Sequence, residues 1–282
     1  MSLFESAAVD YARHRPGIPD EVVRLLAGVL EGIDRPVLLD LGAGTGQVPA
    51  ALVPAMPGIA RVDLVDADEG MLREAAARLP SLPSAGTIAF HTMSAEEFTT
   101  PHAGCRAHLI TCARAFHWMS RPAVLAMADR VAAPAATFAV IEDGSLWTHQ
   151  ARWTSELKQL VQSYLGEERQ AGTTGVYAEP GRRYQEDLAE SAFSDIAEHR
   201  SPVRREWTPG TVIGYLRSTS FARPALFRGR HARFEQEARS LLEEHARGEG
   251  LVEDAVFTVL LARRPGGDLR AAGGTPSRWT YT

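Results

Sequence analysis

The chain has 282 residues, 45% of them hydrophobic and 23% charged, with a formal net charge of −5. That size fits one large domain or a domain carrying an insertion, and the acidic balance argues against a protein built to grip nucleic acid, which carries a basic footprint. Two cysteines make no disulfide framework, no Cys or His spacing suggests a metal site, and neither a signal core nor a membrane-length apolar run is visible. A cytoplasmic protein is expected, a monomer or homodimer.

In chain order, Asp20 is placed to cap a helix carrying Val22, Val23, Leu25, Leu26, Val29 and Leu30, with Gly32 as its stop. "PVLLDLG" reads as a buried strand, and "VPAALVPAM" as a short helix that Pro54 ends or bends. "RVDLVDA" is a second strand, followed by a helix capped by Asp68 and periodic through Met71, Leu72, Ala75 and Leu79. "TIAFHTM" and "AHLITCA" are further strands. A Ser120-capped helix and the strand "TFAVIED" follow. Alternation at this spacing predicts βαβ units and a parallel sheet covered by helices on both faces.

The alternation stops after Asp143. A helix on Trp153, Leu157, Leu160, Val161 and Tyr164 is followed by a polar, turn-rich stretch through Asp187. Then come the strand "DIAEHRSPVRREW", a helix opened by Thr208-Pro209, another at "RFEQEARSLLEEHA", and the apolar strand "DAVFTVLLARR". The domain reading is therefore residues 1–143 as a ligand-binding core, 144–193 as a lid or substrate-recognition insertion, 194–264 as the return to the core, and 265–282 as a tail. An insertion of about fifty residues is too long for an ordinary connection, and it enters near the carboxyl ends of the strands, where open α/β sheets bind ligands.

The most informative stretch is "VLLDLGAGTG". Gly42, Gly44 and Gly46 let backbone approach a ligand, but the third glycine comes one residue too early for a dinucleotide fingerprint. Asp40, two residues before the first glycine, is awkward beside a pyrophosphate and suited to a cation. Asp66 ends the second strand about twenty residues on, the distance at which an acid grips ribose hydroxyls. A ligand with a ribose, a positive centre and no phosphate fits, and S-adenosylmethionine (SAM) is such a ligand.

"LDLGAGTG" is similar to the first motif of class I SAM-dependent methyltransferases, "VDLVDADEGML" resembles the second, and "HTMSAEEF" the third. "FHWM" and "YARHRPGIP" resemble segments of a small-molecule branch of that family. The resemblance implies a Rossmann-like, seven-stranded class I methyltransferase sheet, SAM as cofactor and S-adenosylhomocysteine as product. It implies that the three glycines and Asp40 serve the methionine part, Asp66 and Ala67 the ribose end, Met71 the adenine face, and Ser94, Ala95 and Glu96 the base edge. Arg114 would line the methionine pocket, and Tyr11 and Arg15 would close over the cofactor. Ile18 stands where that branch has tyrosine.

Methyl transfer is an in-line displacement, and an ammonium acceptor must lose a proton before it attacks. His117, Glu142 and Asp143 are the candidates for that chemistry, because histidine exchanges a proton near neutral pH and the two acids end the fifth strand. His117 also has the reading of a loop brace. Phe116, Trp118, Trp147 and Trp153 are candidate walls for the acceptor. No Asn/Asp-Pro-Pro-Tyr motif follows the fourth strand, which disfavours adenine-N6 and protein-glutamine methylation. "GYLRSTSF" resembles actinobacterial members of the branch. The resemblance extends to aminoglycoside N-methyltransferases of antibiotic biosynthesis of the gentamicin type, for which acids at the site would suit a polycationic acceptor. O- or C-methylation of another secondary metabolite or small carboxylic acid, an RNA or protein methyltransferase, a non-catalytic SAM-binding protein and an NAD(P) oxidoreductase remain as alternatives.

Overall fold

The computed structural model describes residues 8–79, 86–102, 104–168, 170–171, 175–176 and 181–265. Helix α1 (Ala8–His14) precedes α2 (Asp20–Leu30), whose Val22, Val23, Leu26 and Leu30 recur at helical spacing and are all buried. Asp20 is not the cap that its position suggests. The N-cap is Pro19, and Asp20 is the first helical residue, where its carboxylate faces the positive end of the helix dipole.

Strand β1 (Val37–Leu41) leads through α3 (Gln47–Ala55) to β2 (Arg61–Asp66), and α4 (Glu69–Arg78) connects to β3 (Thr87–Thr92). Pro54 sits one residue from the end of α3. Asp68 caps α4 as expected, accepting from Met71 N at 3.1 Å. Strand β4 (Ala107–Ala113) and α5 (Arg121–Val131) lead to β5 (Ala132–Asp143). Ser120 occupies the N-cap of α5, but its hydroxyl makes no cap bond. Its own N–H donates instead to Glu96 Oε1 at 2.8 Å.

Beyond β5 lie α6 (Arg152–Leu165), a short hairpin of β6 (Gln170–Ala171) and β7 (Gly175–Val176), and α7 (Tyr184–Ala189). Strand β8 (Asp195–Trp207), α8 (Pro209–Arg217), α9 (His231–Arg247) and β9 (Leu251–Arg263) complete the order. The stretch expected to be turn-rich through Asp187 thus ends in a helix. Residues 169, 172–174 and 177–180 of that stretch, residues 1–7, and 266–282 of the expected tail lie outside the described residues.

The sheet is seven-stranded, in the order β3-β2-β1-β4-β5-β9-β8, and has the expected Rossmann-like architecture. The first five strands pair in parallel, and β9 runs antiparallel to both β5 and β8. Alternate residues face opposite sides. Leu39, Ile110, Phe138 and Val140 pack under α5 and α7, whereas Leu38, Leu64, Leu109 and Ile141 pack under α2, α3 and α4. Helices α6, α8 and α9 share a third cluster with Trp153, Tyr215, Phe227 and Phe234. The inserted residues 144–193 therefore divide: α6 packs against α9, and α7 packs against α5 and β8.

Register holds the strand ends level. Leu41 lies opposite both Val65 and Cys112, and Ala113 opposite Ile141. The carboxyl ends of β1, β2, β4 and β5 thus open on one edge, the place where such sheets carry ligands. The glycine turn is set there by packing. Gly46, at φ +73° and the N-cap of α3, lies where an added Cβ would stand 2.9 Å from Leu79 and 3.3 Å from Ala75. Gly46→Ala combines a left-handed backbone with overpacking and should cost about 2–4 kcal/mol, read as a lowered urea midpoint at unchanged m-value.

Candidate active site

A cavity of about 1200 Å³ opens at the carboxyl ends of the central strands. That exceeds the usual size of a site for one small ligand. One end is walled by the glycine turn and by the ends of β2 and β3, the other by the end of β5, the turn after β4, and residues 182–185.

At the first end Gly42 and Gly44 line the wall, and both take positive φ, +60° and +53°. An added Cβ at Gly42 would lie 2.4 Å from Ala115 Cβ, so only glycine lets this turn pass. Three amides of the turn are already committed. Ala43 N donates to Val65 O, Gly46 N to Ala43 O, and Gly44 N to Asp66 Oδ2 at 2.8 Å. A pyrophosphate site needs such amides aimed at the ligand, and here they are turned inward. The second Asp66 oxygen accepts from Asp68 N at 2.8 Å. Burial raises the Asp66 pKa, and these two amides oppose the rise. The carboxylate is thereby fixed at the cavity wall with lone pairs left for hydroxyl donors.

Ala67 and Met71 line the wall beside Asp66, and Ser94, Ala95 and Glu96 line it from the turn after β3. Asp40 and Gly46, expected to touch the ligand, do not reach the wall: Asp40 is 2% exposed behind the turn, and Gly46 packs α3 onto α4. Thr111 Oγ1 donates to Asp40 Oδ1 at 2.6 Å. Burial pushes the Asp40 carboxyl up to about 7, the Thr111 bond holds it back, and the nearby Asp66 charge adds to the rise.

Arg114, at φ +57°, also lines the wall, yet its guanidinium makes four hydrogen bonds within the protein. Nε and Nη2 donate to the two Asp143 oxygens at 2.5 and 2.8 Å, and Nη1 donates to Pro16 O at 3.0 Å and Gln47 Oε1 at 2.7 Å. Arg205 Nη2 donates to Asp143 Oδ2 at 2.6 Å, and its Nη1 donates to Glu253 Oε2, which also accepts from Trp207 Nε1. Both guanidinium groups lie over the buried Phe257 ring, at 5.5 and 5.1 Å. Asp143 is consequently not the free acid expected at the acceptor. Burial raises its carboxyl, but the two arginines outweigh that and hold its pKa below the usual range.

Arg15 is held between the rings of Tyr11 and Tyr215, at 4.9 and 4.6 Å, and its Nε donates to Ser218 Oγ at 3.1 Å. Tyr11, Arg15 and Tyr215 all line the cavity.

At the other end His117 and Trp118 line the wall, and Trp118 is 47% exposed. His117 Nδ1 is 3.8 Å from Glu142 Oε1, which also accepts from Tyr184 Oη at 2.8 Å. The other expected walls do not reach the cavity. Phe116 is buried against Phe138 and Tyr184. Trp153 is buried among the helices, donating to Val252 O at 3.0 Å, and Trp147 packs against Phe221 in the same cluster. Large aromatic rings near a strand end found the third core, where more apolar area is available to bury.

Sequence reasoning did not single out Tyr184, Tyr215, Arg205, Glu253 or Gln47. The strand "VRREW" carried Arg205, and "RRYQED" carried Tyr184, but no spacing rule relates either to Asp143 or Glu142 across the fold. Among the described residues no group of His, Cys, Asp and Glu could hold a metal ion, and no helix is long and apolar enough to cross a membrane.

Comparison with known proteins matches residues 38–135 to a family described as a methyltransferase domain. No curated protein matches at a significant level. A structure from Anaeromyxobacter dehalogenans, described as a candidate type II methyltransferase, is 21% identical with a TM-score of 0.58, over 89% of this chain and 97% of that one. The YcgJ protein of Bacillus subtilis is 16% identical with a TM-score of 0.51, over 88% and 100%. A candidate methyltransferase of Bacillus halodurans is 14% identical with a TM-score of 0.50, over 87% and 99%. At these identities the likeness is one of fold.

Two consequences are measurable. The folded-state pKa of Asp40 lies above its unfolded value, so the folded chain binds more protons between pH about 4 and 7, and this group's contribution falls as pH rises through that window. Asp40→Asn should therefore gain Tm relative to the parent on going from pH 5 to pH 8. Asp143→Ala leaves two buried guanidinium groups without their shared partner. It should cost about 3 kcal/mol or more in a denaturant titration, with Asp143→Asn intermediate.

Proposed function

We propose that this chain, whose residues 38–135 form a class I SAM-dependent methyltransferase domain, transfers a methyl group to a small-molecule acceptor. One observation carries the reading: a single cavity joins the Asp66 wall to an end lined by Glu142, His117 and residues 182–185. That leaves room for a metabolite beside the cofactor and little for a folded macromolecule.

The residues fit SAM. Three amides of the turn are spent inside the protein, which disfavours a pyrophosphate there. Asp66 accepts the ribose hydroxyls, Ala67 and Met71 bound the adenine side, and Ser94, Ala95 and Glu96 flank the base. Tyr11 and Arg15 cover the methionine end, and Arg114 shapes it while paired to Asp143. Asp40 supports the turn from behind. When bound, SAM supplies an electrophilic methyl group on a sulfonium centre.

At the acceptor end Glu142 holds the incoming group and His117 accepts its proton at Nδ1. The finer reading is N-methylation of an amine-bearing acceptor such as an aminoglycoside aminosugar in antibiotic biosynthesis. Glu142 supports it, since a carboxylate at the cavity wall favours a cation. Asp143 lends it no support, because two arginines neutralise it, so a strongly polycationic acceptor is not required. The inserted residues 144–193 are read as the substrate-recognition element through their α7 end.

The test combines binding and transfer. SAM or S-adenosylhomocysteine should raise the Tm and NAD should not. Asp66→Ala should weaken SAM binding by about tenfold or more, as loss of a charged hydrogen-bond partner does. Labelled SAM offered with a panel of aminoglycosides, polyketides and small carboxylic acids should mark one class. No Tm shift with saturating SAM, or unchanged SAM affinity in Asp66→Ala, would overturn the reading.

A further inference from the structure

We infer that Tyr184 is an acceptor-positioning residue, which with Glu142 forms a two-acceptor edge selective for an amine nitrogen carrying at least two hydrogens. The inference rests on the reading of the cavity as a methyl-transfer site.

Three elements converge on one carboxylate oxygen. Glu142 comes from the end of β5, His117 from the turn after β4, and Tyr184 from the first residue of α7. Tyr184 Oη donates to Glu142 Oε1 at 2.8 Å, and His117 Nδ1 is 3.8 Å from the same oxygen. The phenol spends its single proton there, so toward the cavity its oxygen can only accept. Glu142 Oε2 can only accept as well. A hydroxyl acceptor brings one proton to two such atoms. An ammonium or amine brings two or three and satisfies both.

The tyrosine is built in place. Its ring meets Phe116 edge-on at 5.3 Å, and the Arg121 guanidinium carbon lies 5.3 Å from its centroid. Arg121 Nη1 pairs with Asp187 Oδ2 at 2.7 Å and donates to Arg182 O at 3.1 Å. Arg121 opens α5, three residues after the turn that carries His117. One side chain thus pins α7 to the start of α5, next along the chain from the turn bearing His117. A residue needed only for packing against Phe116 would serve as phenylalanine. Here the hydroxyl is used, and on a carboxylate 39% exposed at the cavity wall. Burial and the Glu142 charge both raise the Tyr184 pKa, so the phenol stays protonated and keeps donating.

The experiment uses the full chain with labelled SAM and matched pairs of acceptors, each aminoglycoside or amino acid beside its hydroxyl analogue. Label is expected in the amines, on nitrogen by mass fragmentation. With the best amine of the panel, Tyr184→Phe should raise KM by about tenfold, the size of one lost hydrogen bond to a charged group. Its kcat should change less, and its Tm shift with SAM should match the parent's. Glu142→Gln, which replaces one acceptor atom by a donor, should lower kcat/KM for the amine at least as far, and it serves as the second probe if Tyr184→Phe folds poorly. Label appearing on oxygen or carbon, no label in any amine, or an unchanged amine KM in Tyr184→Phe overturns the inference. Failure of the parent chain to bind SAM is a separate result and overturns the underlying reading of the site.

Discussion

The ion-pair chain from Arg114 through Asp143 to Arg205 and Glu253 is the constraint on which the site depends. It joins the ends of β4 and β5 to β8 and β9, and through Pro16 and Gln47 it reaches the N-terminal segment and the start of α3. Two positive and two negative groups are nearly dry there. Their desolvation is offset because Arg114 makes four hydrogen bonds and Arg205 two, all to acceptors within this cluster or beside it, and the Phe257 ring lies close to both. Arg114 adopts a left-handed backbone to reach this position. Such strain persists only where the surroundings over-determine it. The ligand crevice is therefore bounded by a rigid polar frame rather than by mobile side chains, as positioning for an in-line reaction requires.

The glycine turn works by the same logic of commitment. Its amides close onto Val65, Ala43 and Asp66, so the turn shapes the wall and orients one carboxylate rather than binding phosphate. Asp40 is the companion device. Hidden from the cavity and held by Thr111, its carboxyl is pushed up to about 7 by burial, with the nearby Asp66 charge adding to the rise. At the other end Glu142 and Asp143 both line the cavity, but Asp143 is held by Arg114 and Arg205, whereas Glu142 meets Tyr184 and His117. Their partners divide this acidic pair into a structural group and one left for a ligand.

How far the sequence could be read follows from the range of the interactions. The parallel sheet was legible because buried strands and amphipathic helices announce themselves within windows of five to eighteen residues. The Asp68 cap and the Thr208 helix start were legible because cap chemistry is local. Local signals misled at two helix starts: α2 begins one residue earlier than the Asp20 cap implies, with Pro19 at the N-cap and no side-chain cap bond, and Ser120 holds the N-cap of α5 without using its hydroxyl. Among the site residues, Asp66, Met71 and Ser94 lie within a few residues of their strand ends, so their place on the wall followed from the motif. Asp143 and Trp153 carried the same kind of signal, yet each was claimed by a partner far along the chain, Arg205 in one case and Val252 in the other.

The sequence by itself determined the Rossmann-like architecture, the cofactor class and the place of Asp66 at the end of its strand. All three are written in short-range spacing around glycines and strand ends. The tertiary structure alone decided which acids stay free. That choice depends on Arg205 and Tyr184, which lie 62 and 41 positions beyond Asp143 and meet Asp143 and Glu142, and on Glu253, which holds Arg205; they come together only because β9 turns back antiparallel beside β5 and α7 is pinned to α5. Charge compensation acts through space at a few ångströms, and no periodicity in the chain encodes it.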